Sequence, residues 1–154
     1  MDNELTLLTF LLDQVRYGIN AHELQEVVPL PELTPLADAP PFASGIFNLR
    51  GRIVTAIDLR QRMGLRLRAP DLKNAALLAP FEGRLYGLIV DEALSLITVP
   101  GEHIEPARDF SPFAESSRST FVCMVAKLEG HLILVLNLKP ILAIAETQQV
   151  DDGR

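Results

Sequence analysis

Short apolar runs separated by glycine- or proline-containing turns dominate the hydrophobic pattern of this chain. The runs are rich in β-branched and aliphatic residues and are too short for long helices, so they predict strands. Glu82-Gly83 and Glu129-Gly130 each lie between two such runs and are suitable hairpin turns. The predicted strands are Leu5 to Leu12, Gln14 to Ile19, Glu26 to Leu30, Arg52 to Asp58, Ala75 to Phe81, Arg84 to Val90, Phe121 to Leu128 and His131 to Leu136. The pattern predicts a mainly β protein.

Helix-forming signals are confined to two short stretches. Asp58 to Met63 predicts one or two turns that end at Gly64. Leu138 to Glu146 predicts a short terminal helix, with Asn137 as its N-cap. Residues 31–41 contain several prolines, which fix φ and remove backbone donors, so this segment is expected to be an extended connection.

Two parts of the chain resemble each other. Gly51 to Arg60 aligns with Gly130 to Lys139 through a glycine turn, an aliphatic strand, Asp or Asn, Leu and a basic residue. A weaker similarity relates Tyr17-Gly18-Ile19 to Tyr86-Gly87-Leu88. Chance similarity between amphipathic strands is the alternative. The matched glycines and caps favour two related β units, which small barrels with few exposed edges would satisfy.

Length and charge restrict the classes of function. A chain of 154 residues suits one domain or two closely joined halves, and we expect a domain over residues 4–146 and a flexible tail over 147–154. The net charge of −6 argues against nucleic acid and against an anionic membrane surface. The acidic start and its short, broken apolar run fit neither a signal peptide nor a membrane-spanning helix. A cytoplasmic protein without direct membrane insertion is therefore expected.

Patterns that carry catalysis are sparse. His22, His103 and His131 lie far apart and lack the spacing of metal ligands, and no phosphate-binding glycine loop is present, so neither a metal nor another cofactor is expected. Cys123, the single cysteine, lies in an apolar run and is expected to be a buried, unreactive thiol. The neighbouring carboxylates of Asp91-Glu92 would point to opposite faces of a strand, which favours capping or solvated roles. A small hydrolase that uses one of them is a remote alternative.

Arginines are the candidates for binding. The basic stretch from Arg60 to Arg68, which includes Arg62, is either a solvated helix end or a docking patch for an acidic partner. Arg50 directly precedes Gly51, and its aligned residue is Glu129, so the turn itself does not require arginine. A guanidinium suits carboxylates and backbone oxygens at interfaces, although a solubilising role is the alternative.

At these residues the sequence resembles the CheW family of bacterial chemotaxis coupling proteins, from about Thr6 to Ala145. The most specific block runs from Ala43 to Arg60 and contains Asn-Leu-Arg-Gly, a β-branched strand and Asp-Leu-Arg. Supporting blocks are Tyr17-Gly18-Ile19, Leu33-Thr34-Pro35-Leu36, Gly87-Leu88-Ile89-Val90-Asp91 and Ile104-Glu105-Pro106. Thr55 stands where the family usually has proline, and the family usually has a glycine near Met124.

The resemblance implies two intertwined five-stranded SH3-like barrels and a non-enzymatic adaptor. Such an adaptor links the regulatory domain of a CheA-type histidine kinase to the cytoplasmic tips of chemoreceptors, and reaches membrane-associated receptor arrays through these partners. The residues carried over to receptor binding are Arg50, Asn48, Gly45 and Glu26. Arg60 and Arg62 are candidates for docking the kinase. A groove between the barrels is the expected surface for a receptor helix. A related pathway that controls pili, gliding or second-messenger synthesis is the alternative.

Overall fold

The computed structural model of the protein describes residues 4–39, 42–109 and 121–143, and this part of the chain forms eleven strands. The strands are β1 Leu5–Leu12, β2 Val15–Asn20, β3 Glu26–Pro29, β4 Ala43–Leu49, β5 Arg52–Asp58, β6 Ala75–Phe81, β7 Arg84–Val90, β8 Glu92–Val99, β9 Ile104–Pro106, β10 Val122–Leu128 and β11 His131–Leu136. Helix α1 spans Leu59–Arg62, and residues 138–143 are helical and are called α2. Single 3-10 turns lie at Ala21–Glu23, Gly101–His103 and Ala107–Asp109.

The strands form two sheets that exchange strands between the two halves of the chain. Sheet A has the order β8-β1-β2-β11-β10-β9, and sheet B has the order β3-β6-β7-β5-β4. Sheet A therefore combines β1 and β2 of the first half with β8 to β11 of the second, while sheet B combines β3 to β5 with β6 and β7. The predicted mainly β fold of two intertwined small barrels is confirmed, and sheet A carries the short β9 as a sixth strand.

The internal similarity of the sequence corresponds to equivalent strand pairing. In sheet B, β5 runs parallel to β7 and places Thr55 beside Tyr86. In sheet A, β11 runs parallel to β2 and places Leu134 beside Tyr17. Leu134 is the residue aligned with Thr55, and Tyr17 is aligned with Tyr86. Both halves thus build the same local unit.

The largest hydrophobic cluster joins the two sheets. Phe10 and Tyr17 from sheet A stack with ring centroids 5.9 Å apart, and they share this cluster with Ile57 and Tyr86 from sheet B. Burial of apolar surface contributes about 25 cal/mol per Å². This shared cluster joins the two sheets, while smaller clusters lie within sheet B, around Val54 and Leu78, and within sheet A, around Leu7 and Ile133.

Three strands were absent from the sequence prediction. β4 contains Ser44, Gly45 and Asn48, which have low strand propensity, and β8 and β9 lack a clear alternation of buried and exposed positions. Their neighbours in the sheets supply the pairing that propensity does not. The predicted helix after Asn137 is present over 138–143, and the predicted flexible tail lies outside the described residues.

Candidate functional site

The turn between β4 and β5 fixes the position of Arg50. Arg50 and Gly51 have φ values of 51° and 90°, and two such left-handed residues are what a type I′ hairpin turn requires. The side-chain Oδ1 of Asn48 accepts a hydrogen bond from the N–H of Gly51 at 2.8 Å. Asn48 therefore holds the turn, while 67% of the Arg50 side chain remains exposed.

An ion pair joins Arg50 to Glu26. The Nη2 of Arg50 donates to Oε1 of Glu26, which lies on β3 and has 32% of its side chain exposed. The fold thus brings together two predicted site residues from opposite edges of sheet B, Glu26 on β3 and Arg50 in the turn that follows β4. An exposed ion pair contributes at most about 1 kcal/mol to stability. Its main consequence is a fixed pair of opposite charges on the surface.

A groove lies beside this ion pair, between the two sheets. Its walls are β1 and β8 of sheet A, β3 of sheet B and the 3-10 turn after β2. The lining residues are Leu8, Ala21, Leu24, Gln25, Glu26, Val27 and Leu96. Leu96 is 64% exposed and Val27 is 38% exposed, so the groove presents apolar surface to solvent. We call it the interbarrel groove, and Glu26 belongs both to it and to the ion pair.

Gly45 does not reach the surface. It is buried, and its φ of 146° lies in a region that side chains rarely adopt. A Cβ at this position would lie 2.7 Å from the carbonyl oxygen of Thr34, which pairs with Ile46 through two backbone hydrogen bonds of 2.8 and 2.9 Å. Gly45 permits this close approach of two backbone segments. The geometry therefore gives Gly45 a structural role, and contact with a partner stays a prediction.

Arg60 is buried in a network of charges that we call the closed corner, formed by Asp13, Arg60, Arg68 and Asp91. Arg60 is 5% exposed, and its Nε and Nη2 each donate to the Asp91 carboxylate at 2.8 Å. Its Nη2 also lies 3.2 Å from Oδ1 of Asp13, and its Nη1 donates to the carbonyl of Arg66 at 2.6 Å. These contacts occupy the guanidinium internally.

The Asp91 carboxylate is likewise satisfied from within. Besides Arg60, it accepts from the N–H of Asp13 at 2.8 Å and from Nη2 of Arg68 at 3.2 Å. Desolvation by itself would raise the pKa of Asp91, but the hydrogen bonds and charges of these groups lower it below its ordinary value. The hydrolase alternative gains no support from this geometry, because the carboxylate is committed to Arg60.

Arg62 is buried at a second contact between the halves, which we call the joint. It is 8% exposed, and its guanidinium carbon lies 4.8 Å from the ring centroid of Phe42 and 4.6 Å from that of Phe121. It donates to the carbonyls of Ile141 and Pro140, both at 2.9 Å. Burial lowers the pKa of Arg62.

The structure gives Arg60 and Arg62 internal partners, and a docking role for them stays a prediction. Both guanidinium groups face the interior, where Asp91, two aromatic rings and backbone carbonyls replace water. The prediction of a solvated helix end is wrong for the same two residues. The many arginines of the stretch 60–68 do not reveal which of them face solvent. Contacts with segments that are distant in sequence decide which ones are buried.

Cys123 differs from its prediction as well. It lies at an irregularity in the pairing of β10 and β11, between Val122 and Met124, and its side chain is exposed. Partial desolvation, followed by the charge of Glu23, raises the pKa of its thiol, while a backbone hydrogen bond opposes the shift. Within residues 4–39, 42–109 and 121–143, no three His, Cys, Asp or Glu side chains gather closely enough to hold a metal ion.

Sequence analysis missed the apolar lining of the groove. Leu24 and Leu96 carry no motif, and a leucine in a strand is ordinarily assigned to the core. One signal was available, because the offset that relates Tyr17 to Tyr86 in the weaker internal similarity also relates Val27 to Leu96. Both aligned residues line the groove, Val27 from β3 and Leu96 from β8.

Comparison with known proteins places the chain in a family. The model of the CheW-like domain matches residues 6–146. The chain is 26% identical to a chemotaxis protein CheW of Rhizobium meliloti (strain 1021), over 92% of this chain and 90% of that protein. It is 28% identical to a chemotaxis protein CheW of Klebsiella aerogenes, over 94% of this chain and 86% of that protein.

A solved structure agrees with this result. The scaffolding protein TtCheW of Thermoanaerobacter tengcongensis superposes with a TM-score of 0.79 and 28% identity, over 90% of this chain and 92% of that one. Among the described residues, no helix has the length and hydropathy needed to cross a membrane. Sequence and fold together show that this chain belongs to the CheW-like domain family.

Proposed function

We propose that this chain couples the cytoplasmic tips of chemoreceptors to the regulatory domain of a CheA-type histidine kinase, at membrane-associated receptor arrays. The family assignment supports the coarser role of a chemotaxis coupling adaptor. The observation that supports binding of a receptor tip is the interbarrel groove beside the Glu26–Arg50 ion pair.

The groove fits an amphipathic helix. Leu8 and Leu96 are opposite each other on β1 and β8, and Val27 forms the facing wall on β3. Apolar walls bounded by a charged pair match a helix that carries an apolar stripe and polar flanks. A receptor tip is a helical hairpin and offers such a stripe, so we assign it to this groove.

Arg50 provides the polar contact at the rim. Its side chain is more exposed than that of Glu26, and the turn held by Asn48 fixes its Cα position. A fixed guanidinium can bind carboxylate or backbone oxygens of the receptor with its remaining donors. Asn48 acts through the turn, as a positioning residue.

Signal transfer then needs no covalent step. An adaptor that holds receptor and kinase in a fixed register raises the effective concentration of each for the other, so modest interfaces are sufficient. Because Arg60 and Arg62 are buried, we propose that the kinase docks on another surface of the chain. A related pathway that controls pili, gliding or second-messenger synthesis would use the same geometry. The identity of the receptor and kinase that co-purify with the chain distinguishes such a pathway from chemotaxis.

Replacement of Arg50 tests the proposal. We expect Arg50→Glu to keep the fold, because the side chain is exposed, and to weaken binding of a receptor-tip fragment about tenfold, because repulsion from Glu26 and loss of the guanidinium disrupt the rim. Arg52→Glu, an equal change of charge at the other end of the same turn, is the matched control. The measurement is isothermal titration calorimetry with circular dichroism to verify folding.

A charge swap distinguishes two roles of the ion pair. The pair either shapes the surface, or it holds the Arg50 guanidinium where that group binds the receptor directly. The double variant Arg50→Glu with Glu26→Arg restores opposite charges but moves the guanidinium to β3. If the swap restores binding, the pair acts only by shaping the surface, and the direct role of Arg50 is wrong. Unchanged binding in the single variant Arg50→Glu would refute any role of Arg50.

A further inference from the structure

A β-bulge decides which residue of β8 lines the interbarrel groove. Leu8 lies opposite Leu96 in the ladder between β1 and β8, and both side chains line the groove. Directly after this pair the register shifts by one residue. Two residues of β8, Leu94 and Ser95, therefore oppose the single residue Thr9 of β1, which is the arrangement of a β-bulge.

A regular ladder would give the groove a different wall. If the pairing on the far side of the bulge continued without a shift, Ser95 would lie opposite Leu8. Leu96 would then lie opposite Leu7, which belongs to the buried cluster within sheet A where Ile97 now packs. Because successive side chains of a strand point to opposite faces, such a slip exchanges the faces of all of them. The slipped strand would present a serine to the groove in place of a leucine.

The side chain of Thr9 fastens the bulge at its position. Its hydroxyl donates to the carbonyl of Ser95 at 2.9 Å and accepts from the N–H of Ser95 at 3.2 Å. Thr9 is buried, so water does not compete for these hydrogen bonds. If the bulge moved along β8, Ser95 would enter the regular ladder and both bonds to the hydroxyl would be lost.

We propose that Thr9 is a positioning residue for the groove, because its hydroxyl keeps the bulge where Leu96, and not Ser95, faces the partner. The apolar stripe of a receptor helix gains from burial against a leucine, whereas an unpaired hydroxyl in the same place costs free energy to desolvate. Thr9 does not line the groove and acts only through β8. The inference rests on the proposed function, which assigns the receptor tip to this groove.

Removal of the hydroxyl tests its effect on binding. With a receptor-tip fragment as probe, Thr9→Val should weaken binding about three- to fivefold, because part of the free chain then lacks the binding-competent register. Thr9→Ser keeps the hydroxyl and should bind within about twofold of wild type. Thr6→Val is the matched control on the same strand and should not change the affinity, since the Thr6 hydroxyl makes only an exposed contact with Thr98.

The affinity separates positioning from a purely structural role. A chain that is less stable but keeps its register still binds normally once it is folded, and circular dichroism verifies that Thr9→Val is folded. Unchanged affinity of Thr9→Val would therefore overturn the inference. Equal weakening by Thr9→Ser would overturn it too, because the hydroxyl would then not be the group that matters.

A buried position on β8 reports the register without the receptor. Val99 is buried opposite Leu5, and a bulge that moved towards this end of β8 would carry Val99 out of its place. The exposed Cys123 is first replaced by serine. In that background, Val99→Cys should react with a thiol reagent about three- to fivefold faster when Thr9→Val is added. Val54→Cys, buried in sheet B, is the matched control and should react equally fast with and without Thr9→Val.

The labelling has two outcomes that would overturn the inference. No acceleration at Val99→Cys would show that the hydroxyl does not hold the register. Equal acceleration at Val99→Cys and Val54→Cys would show a general loss of stability without movement of the bulge.

Failure of this inference is distinguishable from failure of the proposed function. Leu96→Asp places a charge in the groove and should abolish binding of the receptor-tip fragment. If Leu96→Asp abolishes binding while Thr9→Val leaves it unchanged, the groove assignment stands and the role of Thr9 is wrong. If the wild-type chain does not bind the fragment, the proposed function fails, and labelling of Val99→Cys alone decides whether Thr9 holds the register.

Discussion

Three arginines show how burial decides the role of one residue type. Arg50 is exposed and shares one carboxylate, Arg60 is buried against two carboxylates, and Arg62 is buried between two aromatic rings. In the sequence Arg50 and Arg60 lie in the block of eighteen residues from Ala43 to Arg60, and Arg62 follows two residues later. Resemblance to a family identified Arg50 and Glu26, while the roles of the other two arginines depend on strands far away in sequence.

Arg62 should be important for stability. Arg62→Ala removes a buried guanidinium that satisfies two carbonyls and contacts Phe42 and Phe121. We expect the free energy of unfolding in urea to fall by about 2–4 kcal/mol. Arg66→Ala, at an exposed position of the following loop, is the control and should change it by less than about 0.5 kcal/mol. Equal, small effects of both substitutions would contradict the stabilising role of Arg62 at the joint.

Asp91 should make the free energy of unfolding depend on pH in the acidic range. Its pKa in the folded chain lies below the value of about 3.9 for an unperturbed Asp, so its stabilising contribution is complete above that value and is lost as the pH falls through the folded-state pKa. Asp91→Asn should therefore destabilise the chain by about 2 kcal/mol at neutral pH and by progressively less below about pH 4. Urea unfolding of both chains at several pH values measures this difference.

Glu92→Gln is the control for the acid experiment, because Glu92 follows Asp91 directly and has no ion pair within the described residues. A difference between wild type and Asp91→Asn that stays constant from pH 7 to pH 3 would contradict the assigned charge network.

Irregular strand pairing shapes the groove at the scale of elements. The register of β1 and β8 shifts directly after the Leu8–Leu96 pair, so that Leu94 and Ser95 oppose Thr9. Thr9 is 3% exposed, and its hydroxyl donates to the Ser95 carbonyl at 2.9 Å and accepts from the Ser95 N–H at 3.2 Å. The side chain thus satisfies backbone groups that the bulge leaves without a ladder partner.

Thr9→Val should expose the dependence of this bulge on one hydroxyl. The substitution keeps the shape of the buried Thr9 side chain and removes both of its hydrogen bonds to the Ser95 backbone, so we expect a loss of about 1 kcal/mol in the free energy of unfolding. Thr6→Val is the matched control on the same strand, since the Thr6 hydroxyl forms an exposed contact of 3.3 Å with Thr98. Equal effects of the two changes would refute the role of Thr9.

The exchange of strands makes the whole molecule one folding unit. Each sheet needs strands from before and after the loop at residues 64–74, and the largest core cluster spans both sheets. The two sequence-related halves are therefore not two independent domains, although each builds a similar unit. The domain boundaries of 4–146 remain a prediction.

Division of the chain at Leu72 tests this dependence. Leu72 is fully exposed in the connecting loop, so a break there removes no buried contact. We expect fragments 1–72 and 73–154 to be unfolded alone by circular dichroism, because each lacks strands of both sheets, and to regain β structure when mixed. Cooperative unfolding of either fragment by itself would contradict the exchange of strands.

The sequence by itself determined the class of fold, the repeated unit and the block that contains Arg50. These properties are local: alternation, turn glycines and caps act between residues that are close in the chain, and so they are visible in one dimension. The glycine at position 51 could be assigned to its turn for the same reason, and its φ of 90° agrees.

The tertiary structure alone decided which charged residues face solvent. Burial of Arg60 follows from Asp91 and Asp13, and burial of Arg62 follows from Phe121 and α2, all of which arrive from other parts of the sheets. The groove, too, exists only where strands of the two halves meet. Burial and the partners of a charge are properties of segments that are distant in sequence, and no local pattern specifies them.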